Sequence, residues 1–158
     1  MDRVHAEPVV RIQHEDFDTA AEIAAATAGR TDIGAVVTFT GLCRDEGGML
    51  SALELEHYPG MAEAEISRIC REATQRWDLQ AVRVVHRVGR VNPGANIVLV
   101  LAASPHRQAA FAAAEFMMDF LKSNAPFWKK EHDAQGRAGG WVDAKDTDEA
   151  ALRRWAKP

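Results

Sequence analysis

Three lysines stand close together in the segment LKSNAPFWKKE (121–131): Lys122, Lys129 and Lys130, interleaved with Phe127 and Trp128. Large aromatics can wall a pocket and desolvate a neighbouring ammonium, which lowers its pKa toward neutrality and makes it a proton-transfer group. A lysine that keeps its charge instead stabilises an anion. The alternative is equally physical, since lysines at the C-terminal end of a helix complement its dipole. At the front of the same stretch, His106 and Arg107 stand where unpaired N–H groups and the positive end of a helix would welcome phosphate or carboxylate. They could also be a surface capping pair. Arg44 precedes Gly47-Gly48 in a loop that follows a β-branched run, where functional groups are often presented on a rigid scaffold, the alternative being a solvated loop arginine. His57, His86 and His132 fall on different elements with no shared ligand spacing, which argues against a metal site. GxGxxG, GxxxxGK[ST] and GxSxG are all missing, so neither a nucleotide fold nor a hydrolase elbow is indicated.

The composition narrows the partners. The chain has 158 residues, 47% hydrophobic and 27% charged, with net charge −4, and this reads as one domain spanning 1–158 with loose ends at 1–6 and 156–158. An acidic balance disfavours nucleic acid, so positive charge concentrated at the lysines and arginines suits a small anion or an acidic tail. No apolar run approaches a membrane span and the N-terminus lacks a signal-peptide core, which leads to the expectation of a cytoplasmic protein. Cys43 and Cys70 fit neither a disulfide framework nor a zinc site and are expected to be reduced.

The elements that must position these groups follow from periodicity. Strands are expected at 8–13, 34–41, 52–58, 82–88 and 97–103, and helices at 18–28, 62–77 and 146–155. The central helix is expected to run from an N-cap at Ser104, with Pro105 in its first turn, to a stop at Asn124-Ala125-Pro126. Along it, Arg107, Phe111, Glu115, Met118 and Lys122 share one side that is not simply core. Segments 42–50 and 133–140 read as loops, and the sum is an α/β (α+β) fold with a mixed sheet packed by helices.

The motifs VVTFTGLCRD (36–45), LELEHYPGM (53–61), VVHRVGRVNPG (84–94), SPHRQAAF (104–111) and MDFLKSNAPFWKKE (118–131) together resemble the large, catalytic subunit family of molybdopterin synthase, in order from about 34 to 155. The resemblance implies an α/β hammerhead fold, a homodimer, and a heterotetramer in which a small ubiquitin-like (MoaD-like) sulfur carrier docks at each end through its C-terminal Gly-Gly tail. It implies sulfurtransferase chemistry: cyclic pyranopterin monophosphate (precursor Z) receives two sulfurs from the carrier's thiocarboxylate to give molybdopterin. It implies no metal or organic cofactor. Residue by residue, it implies substrate binding by Leu42, Cys43, Arg44, His106, Arg107, Lys122, Lys129, Lys130 and Glu131. Catalysis falls to Lys122 and Lys129, and reception of the partner's tail to Phe39 and Met118. Leu42 stands where relatives commonly have lysine, and Lys145 where they often have arginine, which would lose bidentate geometry. Lys122 is expected to steer the thiocarboxylate and stabilise charge at the acyl carbon, and Lys129, desolvated by Phe127 and Trp128, to transfer a proton. The competing function is a non-catalytic module that only captures an acidic C-terminal tail.

Overall fold

The computed structural model describes residues 6–45, 47–48, 50–142 and 146–156; Lys145 and most of the ends expected to be loose lie outside them. The elements are β1 (Val9–Gln13), α1 (Thr19–Thr27), β2 (Ala35–Leu42), β3 (Leu50–His57), α2 (Met61–Arg76), β4 (Ala81–Arg87), β5 (Gly89–Val91), β6 (Asn96–Ser104), α3 (Arg107–Ser123), β7 (Phe127–Asp133), β8 (Ala138–Val142) and α4 (Asp146–Arg153). They form a mixed α/β fold with two four-stranded sheets, ordered β1-β4-β6-β2 and β5-β3-β7-β8. In the first sheet β1 runs parallel to β4 and the other pairs are antiparallel, whereas the second sheet is antiparallel throughout. No helix among the described residues is long and apolar enough to cross a membrane.

The nearly continuous apolar run of β6 reflects cover on both faces of the first sheet. On one face, Val100 and Ala102 of β6 and Val82 and Val84 of β4 pack under Ile66, Ile69 and Ala73 of α2 and Ala113, Phe116 and Met117 of α3. On the other, Leu101 and Ala103 meet Ala26 near the end of α1, and Leu99 with Val85 meets Phe17. Each fully buried Val or Leu here contributes on the order of 1.5–3 kcal/mol relative to exposure. Asp18 caps α1 by accepting the N–H of Ala21 at 3.2 Å, and Glu63 accepts the N–H of Gly60 at 2.6 Å ahead of α2.

The last helix is strapped back onto α3. Trp155 packs edge-on against Trp77 and Phe116, with ring centroids 5.7 and 5.6 Å away, and its Nε1 donates to Asp119 at 2.5 Å. Arg154 bridges Glu115 and Asp119, and Arg76 donates to the Trp155 carbonyl at 2.8 Å.

Two expectations need correction, and two strands were not expected. Ser104 does not cap α3: it is the last residue of β6, buried, with His106 in the N-cap position and Arg107 opening the helix. The reason is register, because Ser104 pairs with Ala35 and its carbonyl accepts the Gly34 N–H at 3.0 Å, holding both residues in the sheet. Residues 127–133, assigned no element from periodicity, form a strand. The supposed loop at 133–140 is a hairpin whose second strand starts at Ala138, with Asp133 accepting the N–H groups of Gln135 and Arg137 at 3.0 and 2.8 Å. The three residues Gly89–Val91, too short to read from periodicity, pair with Leu53–Leu55 as β5.

Candidate functional site

The strand character of 127–133 decides which lysines can work together. Successive strand residues point to opposite faces, while residues directly opposite on paired antiparallel strands share a face. Phe127, Lys129 and Glu131 pair with His57, Leu55 and Leu53, so they share the face on which Leu53 and Leu55 cluster with Cys43 and Val91. Trp128 and Lys130 pair with Glu56 and Glu54 on the other face, and Trp128 is 45% exposed there. Lys129 and Glu131 are therefore brought together, and Lys130 is not with them. Trp128 cannot desolvate Lys129 as expected; Phe127, two residues along the same face, is the aromatic that can.

Arg44 reaches this face from a fixed anchor. The backbone of Cys43 donates to Ala95 at 2.8 Å and its carbonyl accepts from Gly94 at 2.6 Å, tying the end of β2 to the turn before β6. Asp45 then accepts the N–H of Leu50 at 3.3 Å, closing the loop. The result is a cleft of about 400 Å³ between this loop and the β7–β8 hairpin, with Arg44, Leu50, Glu131, His132 and Arg137 in its lining. That volume suits a small organic ligand. His132 is held by Glu54 at 3.0 Å, and Arg137 Nε lies 3.4 Å from Asp133. Neither residue carries a sequence signal that sets it apart from ordinary hairpin polarity.

The Cys43 thiol reports on the charges around it. Its pKa is raised first by burial, then by the carboxylates of Asp45 and Glu131, with Lys129 acting in the opposite sense. Glu131 and Lys129 are thus electrostatic neighbours of the Cys43–Arg44 corner. Cys70, within α2, is buried, and desolvation pushes its pKa up to about 12. Neither cysteine forms a disulfide and neither is poised as a thiolate.

Lys122, exposed in the last turn of α3, is an electrostatic neighbour of His86. Phe127 stacks on His86 with centroids 4.0 Å apart and planes at 14°, and lies 6.3 Å from the His57 ring. Burial pushes the His86 pKa down to about 4 against the opposing hydrogen bond to the Arg87 carbonyl, and the nearby charge of Lys122 adds to the lowering. His86 entered the sequence reading only as a dismissed metal ligand. The legible sign was alternation: in AVRVVHR it falls on the same side as Val82 and Val84, the covered face.

His106 and Arg107 stand elsewhere. Arg107 is the first residue of α3 and Lys122 the last but one, about 22 Å apart at 1.5 Å per residue. The eight-residue strand β2 likewise separates Ala35, paired with Ser104, from the Arg44 corner. Gly34 shapes the corner that carries His106, since a Cβ there would come within 2.1 Å of the Pro105 carbonyl oxygen. Between the two ends, the exposed Phe39 lies on the open edge strand β2 and Met118 is buried on α3. Leu42 is exposed at the end of β2.

Comparisons with known proteins place the chain in a family. A family model described as "MoaE protein" matches residues 12–124. A protein of Mesorhizobium japonicum named "Molybdopterin synthase catalytic subunit" is 70% identical over 148 residues, covering 94% of this chain and 93% of that one. Among solved structures, the molybdopterin biosynthesis MoaE protein from Burkholderia ambifaria superposes with a TM-score of 0.81 at 50% identity, covering 94% of this chain and 97% of that one. The molybdopterin synthase structure from Staphylococcus aureus gives 0.73 at 33% identity, covering 82% and 96%. With a family match over most of its length, close relatives along nearly all of it and the same fold, this chain belongs to the MoaE protein family.

Proposed function

We propose that this chain is the catalytic subunit of a molybdopterin synthase, a sulfurtransferase that converts cyclic pyranopterin monophosphate to molybdopterin in molybdenum cofactor biosynthesis. The observation that carries the reading is the placement of Lys129 and Glu131 on one strand face beside the Cys43–Arg44 corner, with Arg44 and Glu131 lining a cleft of about 400 Å³. Relatives that share up to 70% of its residues bear that enzyme's name.

In this reading the sulfur donor is the C-terminal glycine thiocarboxylate of a small ubiquitin-like partner. Its tail reaches the site past Phe39 and Met118, and two such partners flank a homodimer. The thiocarboxylate sulfur forms a bond to a side-chain carbon of the pterin as a carbon–oxygen bond at that carbon breaks. The oxygen leaves on the phosphate of the opened ring in one transfer and, protonated, as water in the other. Water then attacks the acyl carbon, the acyl–sulfur bond breaks, and the tail leaves as an ordinary carboxylate with sulfur retained on the pterin. A second charged carrier repeats the transfer. Lys122 steers the anionic tail and stabilises the oxyanion formed at the acyl carbon, while Lys129 moves the proton. Arg44, Glu131 and the backbone around Leu42 and Cys43 hold the pterin, with the phosphate shared between Arg44 and the Arg107 of the neighbouring protomer. No step calls on a resident cofactor. Two buried cysteines outside any disulfide suit a cytoplasmic enzyme.

The test is reconstitution. The purified protein, a thiocarboxylated small subunit and cyclic pyranopterin monophosphate should together yield a dithiolene. Tail binding without dithiolene product would reduce the chain to a capture module.

A further inference from the structure

His86 is a buried titratable group that the chemistry above leaves unused. It is 8% exposed and closes the inward series Val82, Val84, His86 of β4. Its Nδ1 lies 2.8 Å from the Arg87 carbonyl oxygen, and because a carbonyl only accepts, Nδ1 carries a proton, while burial disfavours a second one on the ring. Its flat face lies against Phe127 of β7. The charged or titratable groups facing it are Lys122 from the end of α3 and His57 from β3, while β1 and β6 present Ile12 and Val98 in register. One imidazole thus touches the first sheet, the second sheet and the surroundings of the lysine at the end of α3.

We propose that His86 is a positioning residue for sulfur transfer, whose ring, stacked on Phe127, sets the spacing between Lys122 and Lys129. The proposal rests on the assignment of those two lysines above. Phe127 begins β7 and precedes Lys129 by two residues on the same face, so the strand backbone that its ring anchors is the one that carries the lysine. Phe127 also packs against the core that contains α3. An aliphatic side chain of similar size would fill the space under β7 but would offer no flat face to hold the Phe127 ring in one orientation. Displacing a catalytic group by about 1 Å costs on the order of a hundredfold in rate.

The experiment compares His86→Leu and His86→Phe in the reconstituted complex with thiocarboxylated small subunit and cyclic pyranopterin monophosphate. His86→Leu should melt near the wild-type temperature and keep KM for the pterin within about twofold, yet lose at least about tenfold in kcat. His86→Phe, which restores an aromatic face, should return kcat to within about threefold of wild type. His86→Met fills the gap flexibly and is read in the same way should the leucine variant fail to fold. Wild-type kcat in the aliphatic variant, or equal loss in the phenylalanine variant, overturns the positioning role. Lys122→Ala, assayed alongside, separates the two levels of the argument. Turnover by that variant defeats the lysine assignment itself, whereas an inactive Lys122→Ala beside an unimpaired His86→Leu defeats only the role given to His86.

Discussion

Lys129 and Lys130 are consecutive in the chain and face opposite sides of β7: Lys129 sits over Leu55 and the Cys43 corner, and Lys130 over Glu54. Their substitutions should therefore differ sharply. Lys129→Ala is expected to lower kcat by about 10²–10⁴, the usual worth of a positioned proton-transfer group, and to remove the basic limb of the pH–rate profile. Lys130→Ala should stay within about threefold of wild type. Steady-state kinetics on the two variants decides it, and comparable losses in both would mean that the strand face does not define the site.

Sulfur should pass through neither cysteine. Both thiols are buried, and burial raises the pKa of each, so neither offers a ready thiolate. The double variant Cys43→Ala, Cys70→Ala should retain dithiolene formation, with stability reduced by a few kcal/mol at most, because small buried side chains leave small cavities. A folded double variant with no activity would show that a thiol takes part in the transfer.

His86 also carries a pH signature in stability. Its folded pKa, about 4, lies below the 6.5 of an ordinary imidazole, so the unfolded chain takes up the proton first as pH falls. The stability tied to its neutrality is complete above about pH 6.5 and is lost progressively down to about pH 4, by up to roughly 3 kcal/mol. Chemical denaturation of wild type and His86→Phe across that window should give diverging curves, with the wild type falling more steeply toward acid. Parallel curves would show that the imidazole titrates normally in the fold.

The two ends of α3 lead to a prediction about assembly. Arg107 and Lys122, about 22 Å apart on one helix, cannot both grip a pterin roughly half that long. If both are used, His106 and Arg107 of one protomer complete the site that holds Arg44, Lys122 and Lys129 of the other. Mixing inactive Arg107→Ala with inactive Lys122→Ala under subunit exchange should restore about a quarter of full activity, since half the dimers are mixed and each has one intact site. Demonstrated heterodimers without recovery would place each site within a single chain.

Much of this was legible in the residues, and the reason differs by element. β6 reads as an uninterrupted apolar run because both its faces are covered, and α2 reads at helical spacing because only one of its sides is. Asn124 stops α3 as its proline-bounded neighbourhood requires. What failed was set by long-range pairing. Ser104 has the chemistry of a helix cap, but its partner Ala35, sixty-nine residues earlier in the chain, keeps it in a strand. FWKKEHD has no alternation of apolar and polar residues, because one face of β7 carries the proposed site and the other is half open; its strand state comes from pairing with β3. The candidate site followed the same division. Its residue types were visible in sequence, whereas the grouping of Lys129 with Glu131, the separation of Lys130 and the place of His86 needed the sheet.

The close packing of Gly34 under the Pro105 carbonyl has a genetic reading. Every allele that adds a Cβ at position 34 pushes on the corner bearing His106 and Arg107, so its damage would be felt in the neighbouring protomer's site if sites are shared. In a cell carrying two gene copies, a Gly34 allele and a Lys122 allele would then complement one another, while two Gly34 alleles would not. A lesion outside the chemistry would behave in crosses like a lesion in Arg107.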